Sequence, residues 1–511
     1  MLLNEFGSQQ VLFPPPTEAC PGQQGGGPEP PVLPTGDPSY TDELNGYFSA
    51  QQASTRPACF FRPKSAQQVA RAILICRSTR TPFAVKSGGH VPFAGASNCP
   101  GGVTVDLADL NQIIVHHDEN TELNKHMQNQ IVSVGSGNKW LDVYRALEPQ
   151  FLTVVGGRVA GVGVGGLILG GGISFFSNLY GMSCDNVVNF EVVTAAGEII
   201  HASQDSHPYL YRALRGGGGN LGVVTRFDCI SYPQGMMWGG DRYHEWAYAP
   251  QLVTQLMRFG DSGAETTPEA SLIIGFAHMT APGFFGSATL THAHAQAAGT
   301  HPAVFDALLD IPAQWSDCGN KRVSEMAAAL ESLNDKAAGQ MRHSHWTLTA
   351  VLDEQLALNV VDIFRDEVEK KLVGVVEGVM PGVGLQVLSL PLMRAMARAG
   401  GNCIGLQDED RPLLLVNPTV RWLNAKDDEL VMSVYANIVA RSNEAARVRG
   451  LQHGYLYMNY SSQFQDPIAG YGRMERERLR AVARKYDPDS VFQTLNPGHF
   501  KLDGGSYSAD T

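Results

Sequence analysis

Hydrophobic and polar positions in the first half of the chain switch repeatedly between the period of a strand and that of a helix. Short apolar runs predict strands at 58–62, 82–86, 103–106, 131–134, 190–194 and 223–227. Helical spacing predicts helices over 67–79, where Ser65 is the expected N-cap, and over 139–147. Strands that alternate with helices in this way indicate an α+β or α/β domain.

The pattern changes after Pro233. Helix-like stretches at 303–308, 324–336, 360–379 and 428–449 are interspersed with β-like runs at 271–278, 287–294, 343–352 and 413–420. Because the two kinds of element do not alternate strictly, they favour an antiparallel sheet covered by helices, so the whole chain is predicted to be α+β. The predicted divisions are an extended N-terminal arm and lead-in (1–54), a ligand-binding domain (55–235), a substrate domain (236–450) and a C-terminal segment (451–511).

Glycine is concentrated in three clusters. Between Gly156 and Gly172 nine of seventeen residues are glycine, and the other clusters are Lys86-Ser87-Gly88-Gly89-His90 and Arg215-Gly-Gly-Gly-Gly-Asn220. Glycine costs conformational entropy on folding, so this density is typical of backbone that needs a positive φ or lies close to a ligand. Main-chain amides without side chains also form nests for anions. We therefore expect a large, flat or phosphate-bearing ligand against the main chain.

The length and charge of the chain limit the number of domains and the kinds of partner that we expect. A chain of 511 residues predicts two domains. Its net charge of −12 argues against a nucleic-acid partner. Residues 159–184 are uncharged, but their many glycines make them too weakly apolar for a spanning helix, so we expect no membrane insertion.

The eight cysteines are dispersed without zinc-like spacing, so no metal site is expected, although a bridge such as Cys20–Cys59 stays open. The alternating pair His292 and His294 lacks the neighbouring carboxylates or cysteines of a metal site. We interpret the two histidines as exposed residues of a surface strand. The N-terminus shows no secretory signal. The protein is thus expected to be cytoplasmic as encoded, or secreted if a leader is missing.

The glycine-rich run also contains a possible dinucleotide-binding motif. Gly161-Val-Gly163-Val-Gly165-Gly166 satisfies the GxGxxG pattern of a Rossmann fold. That fold needs a helix directly after the glycines, and Gly170-Gly171-Gly172 would end it within a turn or two. We therefore favour a loop that wraps a ligand over nicotinamide-dependent hydride transfer.

Several motifs, in order, make residues 57–233 resemble the PCMH-type FAD-binding domain of the vanillyl-alcohol-oxidase superfamily, in its berberine-bridge-enzyme-like branch. The motifs are Phe61-Arg-Pro-Lys-Ser65, Val85-Lys-Ser-Gly-Gly-His90, Gly102-Val-Thr-Val-Asp-Leu107, Val134-Gly-Ser-Gly137, the 156–172 run and Leu214-Arg-Gly-Gly-Gly-Gly-Asn-Leu-Gly-Val-Val-Thr225. The tail motifs Tyr457-Met-Asn-Tyr460, Tyr486-Asp-Pro488 and Asn496-Pro-Gly498 extend the likeness to about nine-tenths of the chain, closest to fungal members of secondary metabolism.

The resemblance implies bound FAD, with His90 bonded to the flavin 8α-methyl. A second, cysteinyl link would be absent because Val159 stands at that position, so FAD would be tethered once. The residues that the resemblance places against FAD are His90, Lys86, Ser87, Gly88, Gly89, Gly95, Gly135, Gly156, Gly161, Val162, Gly163, Gly166, Gly171, Gly172, Gly222, Val223, Val224 and Asn459.

The candidate catalytic residues are Tyr457, Asn459 and His345. The resemblance places Tyr457 and Asn459 beside the flavin ring. Tyr457 is either a base, which requires a lowered pKa, or a packed aromatic with a hydrogen-bonded hydroxyl. Strand alternation puts His343, His345 and Thr347 on one face that could meet substrate. Val162 matches a position that controls oxygen access in the family, or is a plain loop residue.

The resemblance implies an oxidase for a small molecule. It would take hydride from an alcohol, phenol or activated C–H group of a secondary metabolite to flavin N5, and molecular oxygen would reoxidise the flavin. Two alternatives stay open: a cyclase that uses FAD as a scaffold, and a flavin-binding protein without catalysis.

Overall fold

The computed structural model describes residues 32–117, 130–332 and 341–504. A first sheet contains the strands Val32–Pro34, Cys59–Phe61, Val103–Asp106 and Phe83–Lys86, in that spatial order. Its last three strands are parallel. The helix Ala66–Thr79 connects two of them and begins at the predicted cap, where Ser65 Oγ accepts from the Gln68 amide at 3.3 Å.

A second sheet is antiparallel. Its spatial order is Ile113–His116, Ile131–Gly135, Val223–Pro233, Val187–Val193 and Ile199–Ser203, and Leu152–Val154 pairs with the far end of Val223–Pro233. The predicted strands at 131–134, 190–194 and 223–227 all belong to it. The glycine-rich run leaves this sheet after Val154 and forms only the six-residue helix Val164–Leu169, which ends at Gly170. That short helix agrees with the expected loop and not with a Rossmann βαβ unit.

A third, larger antiparallel sheet follows in sequence. Its strands, in spatial order, are Trp315–Ser316, Met237–Glu245, Gly283–His292, Ala270–Met279, Met380–Leu388, Leu413–Trp422, Leu348–Val351 and Gln452–His453. Gly319–Lys321 pairs with Met237–Glu245, and Arg342–His345 pairs with Leu413–Trp422. This is the antiparallel sheet that the second half of the sequence predicts.

Helices cover one face of this sheet. Apolar side chains from Ala249–Arg258, Glu354–Lys371 and Asp428–Val448 pack on the sheet and form one core with it. The other α-helices of the described residues are Pro38–Asn45, Ala50–Ser54, Trp140–Leu147, Ser177–Tyr180, Pro208–Leu214, Ala264–Thr266, Asp306–Leu309, Val323–Ser332, Leu390–Arg398, Pro467–Gly470, Arg473–Tyr486 and Val491–Thr494. None of the described helices is both long enough and apolar enough to cross a bilayer.

Most of the extended arm expected at the N-terminus lies outside the described residues, and the lead-in that follows it is folded. Its described part forms the strand Val32–Pro34 and the helices Pro38–Asn45 and Ala50–Ser54, which bury Tyr40, Tyr47 and Phe48. Residues 1–31, which carry most of the Pro- and Gly-rich pattern, lie outside the described residues. So does Cys20, while Cys59 is disulfide-bonded.

Candidate functional site

A cavity opens where the three glycine clusters, the C-terminal tail and the third sheet come together. Among the residues expected to bind cofactor or substrate, those that line it are Ser87, Gly88, Gly89, His90, Val162, Gly163, Gly166, Gly222, Val223, Val224, His345, Tyr457 and Asn459. Val159 also lines it. Residues as far apart in sequence as Ser87 and Asn459, 372 positions, thus line one site.

The first two glycine clusters are in direct backbone contact. A Cβ on Gly88 would lie 2.4 Å from the Gly163 nitrogen, and a Cβ on Gly163 would lie 2.3 Å from the Gly88 nitrogen. Ser87 stabilises this contact between the two clusters. Its hydroxyl donates to the Ser136 carbonyl at 2.6 Å and accepts from the Gly165 amide at 3.2 Å. Part of the glycine density therefore serves chain-to-chain packing rather than ligand contact.

His90 is held at this junction with one ring nitrogen free. Its ring stacks on Phe48, with centroids 3.8 Å apart and an interplanar angle of 16°. Its Nε2 is buried and has no hydrogen-bond partner among the described residues. Burial lowers the pKa of His90 to about 3, helped by the nearby His345. His90 is therefore a neutral imidazole, the form that has a nucleophilic lone pair.

Tyr457 and Asn459 lie against the end of the glycine-rich run. The Tyr457 hydroxyl accepts from the Ile173 amide at 2.9 Å and from Asn459 Nδ2 at 3.1 Å. Asn459 Nδ2 also donates to the Leu167 carbonyl at 3.0 Å. Burial raises the pKa of Tyr457, which is opposite to what a base requires. This geometry favours the interpretation of Tyr457 as a packed aromatic with a hydrogen-bonded hydroxyl.

Lys86 does not line the cavity. Its ammonium is buried and donates to Glu43 Oε2 and Asp106 Oδ2, both at 2.8 Å. Burial raises the pKa of Asp106 to about 6, with Lys86 opposing the rise and Glu43 adding to it. Lys86 thus completes an ion cluster beneath the glycine loop, and any contribution to cofactor binding would be indirect.

Six of the glycines expected at the cofactor also lie outside the cavity lining, and neighbouring protein atoms occupy the space beside them. A Cβ would meet Trp140 at Gly156, Glu331 at Gly161, Ile404 at Gly171, Ser183 at Gly172 and the Leu110 carbonyl at Gly135, all within 3 Å. Gly95 has φ +78° and its carbonyl lies against Gly498. These positions shape the walls behind the cavity.

Several residues that line the cavity were not predicted as site residues from the sequence, among them Phe48, Arg158 and Lys501. Phe48 comes from the N-terminal lead-in, Arg158 from within the glycine-rich run and Lys501 from the tail. Lys501 donates to the Phe492 carbonyl at 3.0 Å, and burial lowers its pKa to about 7. No ion pair within 32–117, 130–332 and 341–504 includes it. A signal existed for Arg158 alone, as the single charged residue of the 156–172 run.

A second cavity, of about 770 Å³, lies on the open face of the third sheet. Small and apolar residues such as Gly275, Phe276 and Val383 line it. His343 and His345 line it too, and His345 also lines the first cavity. Thr347 lines neither cavity, because the strand Arg342–His345 ends before it. The amide of the intervening Trp346 donates to the Pro418 carbonyl at 2.9 Å. The volume suits a small organic molecule.

The first cavity fits FAD chemically. Gly166 and Gly219 line it, and a Cβ on either would meet no protein atom within 4 Å, which leaves room against the main chain. Lys501 supplies a half-buried amine that can pair with a diphosphate, and His90 supplies a free imidazole nitrogen. No group of three or more His, Cys, Asp or Glu side chains suited to a metal occurs within the part of the chain that the structure describes.

Comparisons with known proteins agree with this chemistry. A family model for an FAD binding domain matches residues 57–203. The FAD-dependent monooxygenase tpcD of Cochliobolus heterostrophus is 38% identical over 466 residues, which cover 89% of this chain and 87% of tpcD.

Two solved structures share the fold. 6-Hydroxy-D-nicotine oxidase from Arthrobacter nicotinovorans has a TM-score of 0.72 at 20% identity, covering 91% of this chain and 96% of that one. Glucooligosaccharide oxidase from Acremonium strictum, described with a 6-S-cysteinyl, 8α-N1-histidyl FAD, has a TM-score of 0.72 at 18% identity, covering 93% and 97%. The chain therefore belongs to the FAD-dependent oxidoreductase family of the fungal FAD-dependent monooxygenases, and it shares its fold with these solved oxidases.

Proposed function

We propose that this FAD-dependent oxidoreductase is an oxidase. It would take hydride from an alcohol, phenol or activated C–H group of a secondary metabolite, and molecular oxygen would be the final electron acceptor. The observation that carries the proposal is the position of His345, which lines both the FAD cavity and the second cavity. A small molecule in the second cavity would therefore lie next to the cofactor.

Bound FAD supplies the two-electron acceptor. The protein's own contribution is to hold the cofactor and keep water away from it. We assign the cradle to the backbone around Ser87–Gly89, Gly163, Gly166 and Gly222–Val224, and the diphosphate to Lys501. His345 faces substrate as a neutral imidazole, because burial lowers its pKa to about 4.

We also propose that FAD is tethered once, through His90. The free Nε2 and the stacked Phe48 support this attachment. Val159 lines the cavity where a cysteine would make the second link, and Cys184 is buried in the protein core away from the cavity lining. Burial raises the pKa of Cys184, which keeps it a thiol.

Oxidase activity can be tested without knowing the substrate. The purified holoenzyme is reduced with dithionite under argon and mixed with air-saturated buffer in a stopped-flow instrument. Rapid reoxidation that yields one hydrogen peroxide per flavin supports the oxidase. Slow reoxidation without peroxide contradicts it.

The substrate half-reaction separates the remaining alternatives. A true substrate added without oxygen should bleach the flavin absorbance. Turnover with the flavin oxidised throughout and no oxygen uptake would favour the cyclase. Incorporation of labelled oxygen into product would indicate a monooxygenase, the activity named for tpcD.

A further inference from the structure

The second cavity crosses most of the third sheet. Its lining begins on the edge strand Trp315–Ser316, ends on Arg342–His345 and includes residues of the strands between them. Five strand intervals separate the strand of Tyr243, near the edge, from the strand of His345. Because paired strands lie about 4.8 Å apart, these two lining residues are separated by about 24 Å across the sheet. A substrate that fills the cavity is therefore elongated.

The middle of the cavity has a floor without side chains. Gly275, Gly382 and Gly384 line it on two central strands. A Cβ on Gly384 would have only the Asn417 carbonyl oxygen within 4 Å, at 3.9 Å, so this glycine leaves open space above the sheet. One molecule can therefore extend from one end of the cavity to the other.

The end of the cavity at the sheet edge is aromatic. Trp315 stacks on Tyr243, with ring centroids 5.0 Å apart and an interplanar angle of 21°. Phe285 packs edge-to-face on Tyr243 at 5.8 Å. Trp315 is 47% exposed, and Met279, which also lines the cavity, is 38% exposed. Exposed apolar side chains grouped around a cavity are typical of a site for an apolar ligand.

The opposite end of the cavity is basic. Arg421 is paired in register with His343, and both residues line the cavity. Among the lining residues that the structure describes, Arg421 is the only arginine or lysine, and none is aspartate or glutamate. The positive charge of Arg421 lies near His345, because it adds to the effect of burial in lowering the pKa of that imidazole to about 4.

The basic end is also the end next to FAD. His345 lines both cavities, and His343 lies two residues before it on the same strand, about 7 Å away. An amine at this end would meet a like charge, whereas a carboxylate would accept charge-assisted hydrogen bonds from the guanidinium. A polar oligosaccharide would leave its hydroxyl groups without partners against the aromatic end.

We propose that the substrate is an elongated amphiphile whose carboxylate binds Arg421 beside the FAD cavity and whose apolar part extends over the glycine floor to Tyr243 and Trp315. The inference rests on the proposed oxidation of a small molecule in this cavity and names the chemical class of that molecule. Arg421 would determine specificity for charge, and Trp315 would determine specificity for length.

Calorimetric titration of the oxidised holoenzyme tests the proposal without turnover. Three probes separate the two ends: para-octyloxybenzoate has both the charge and the apolar chain, para-octyloxybenzamide lacks the charge, and benzoate lacks the chain. Wild type should bind para-octyloxybenzoate at least about tenfold more tightly than either of the other probes.

Two variants should affect these affinities differently. Arg421→Met should weaken para-octyloxybenzoate about 10–100-fold and change the amide by less than about twofold, whereas Arg421→Lys should retain part of the affinity for the acid. Trp315→Ala should weaken both long probes about 2–10-fold and leave benzoate unchanged. Arg71 and Tyr209 are exposed and line neither cavity, so Arg71→Met and Tyr209→Ala are the matched controls and should bind all three probes like wild type.

Several results would overturn the proposal. They are a wild type that binds the amide as tightly as the acid, one that binds benzoate as tightly as para-octyloxybenzoate, and one that binds none of the probes. An unchanged preference for the acid in both Arg421 variants would overturn it too. The expected binding pattern in an enzyme whose reduced flavin oxygen does not reoxidise would refute the oxidase alone and support this substrate class.

Discussion

Gly88 and Gly163 are in contact through their main chains, and neither can gain a Cβ without meeting the other's backbone nitrogen at 2.3–2.4 Å. The two residues belong to different glycine clusters: Gly88 follows the strand Phe83–Lys86, and Gly163 directly precedes the helix Val164–Leu169. Their contact sets the distance between the loop that carries His90 and the loop that carries Arg158 and Val162. The geometry of the cavity therefore depends on it.

Gly163→Ala should destabilise the fold, because its Cβ must displace backbone. We expect a loss of about 1–3 kcal/mol in the free energy of unfolding, measured by urea titration. Gly166→Ala is the matched control, since its Cβ would meet no protein atom within 4 Å. It should change stability by less than about 1 kcal/mol but reduce FAD loading, because Gly166 lines the cavity. Equal stability losses in the two variants would contradict this distinction.

Lys86→Met should destabilise the protein by about 3–5 kcal/mol, because it leaves Glu43 and the fully buried Asp106 without their shared cation. Unfolding in urea measures the loss. Lys64→Met, at an exposed position, is the control and should cost little. Adding Asp106→Asn to Lys86→Met should restore part of the stability. Full stability with lost FAD would show instead that Lys86 acts on the cofactor directly.

The position of Lys86 in a motif was visible in the sequence, but its ion pairs were not. Its place in the Lys-Ser-Gly-Gly-His motif is visible in the sequence, but its partner Glu43 lies in the lead-in, where the sequence pattern predicted no element. Local pattern correctly predicted the helix after Ser65 and most strands of the first half, because those depend on nearby residues. Ion pairs between distant segments depend on the finished fold and leave no periodic signal.

His345→Gln should weaken the dependence of stability on acid pH. Burial lowers the pKa of His345 from 6.5 to about 4. Between pH 6.5 and pH 4 this imidazole is therefore protonated in the unfolded chain but neutral in the folded chain. The free energy of unfolding should therefore fall as the pH drops from 6.5 towards 4, and His345 contributes at most about 3 kcal/mol of that fall. Urea unfolding at several pH values measures it. His294→Gln, at an exposed histidine, should leave the curve unchanged; identical curves for wild type and His345→Gln would refute the assignment.

Val162→Leu should slow the reaction of reduced flavin with oxygen. Val162 lines the cavity, and a longer side chain would narrow the approach to the flavin. We expect the stopped-flow reoxidation rate to fall by at least about tenfold, equivalent to about 1.4 kcal/mol. Val159→Leu, three positions earlier in the same loop, is the control and should reoxidise near the wild-type rate. Unchanged reoxidation in Val162→Leu would mean that this valine is only a loop residue.

The sequence predicted an antiparallel third sheet but not the bounds of all its strands and covering helices. Met380–Leu388 contains Pro381, Gly382 and Gly384, which are typical of a loop, yet it pairs on both sides within the sheet. The helix predicted at 360–379 instead spans Glu354–Lys371, because Asp353 caps it earlier and turns occupy the residues before the strand. The Arg158–Tyr460 bond joins residues 302 apart, so only the folded chain could reveal it.

We propose that the holoenzyme holds FAD through one covalent bond, at His90. Intact-mass spectrometry of acid-denatured protein measures this attachment. Wild type should carry the mass of one FAD, and a tryptic flavopeptide should contain His90. His90→Ala should fold and lose the adduct, whereas Cys184→Ser should keep it. Release of free FAD from denatured wild type, or an adduct that persists in His90→Ala, would contradict attachment at His90.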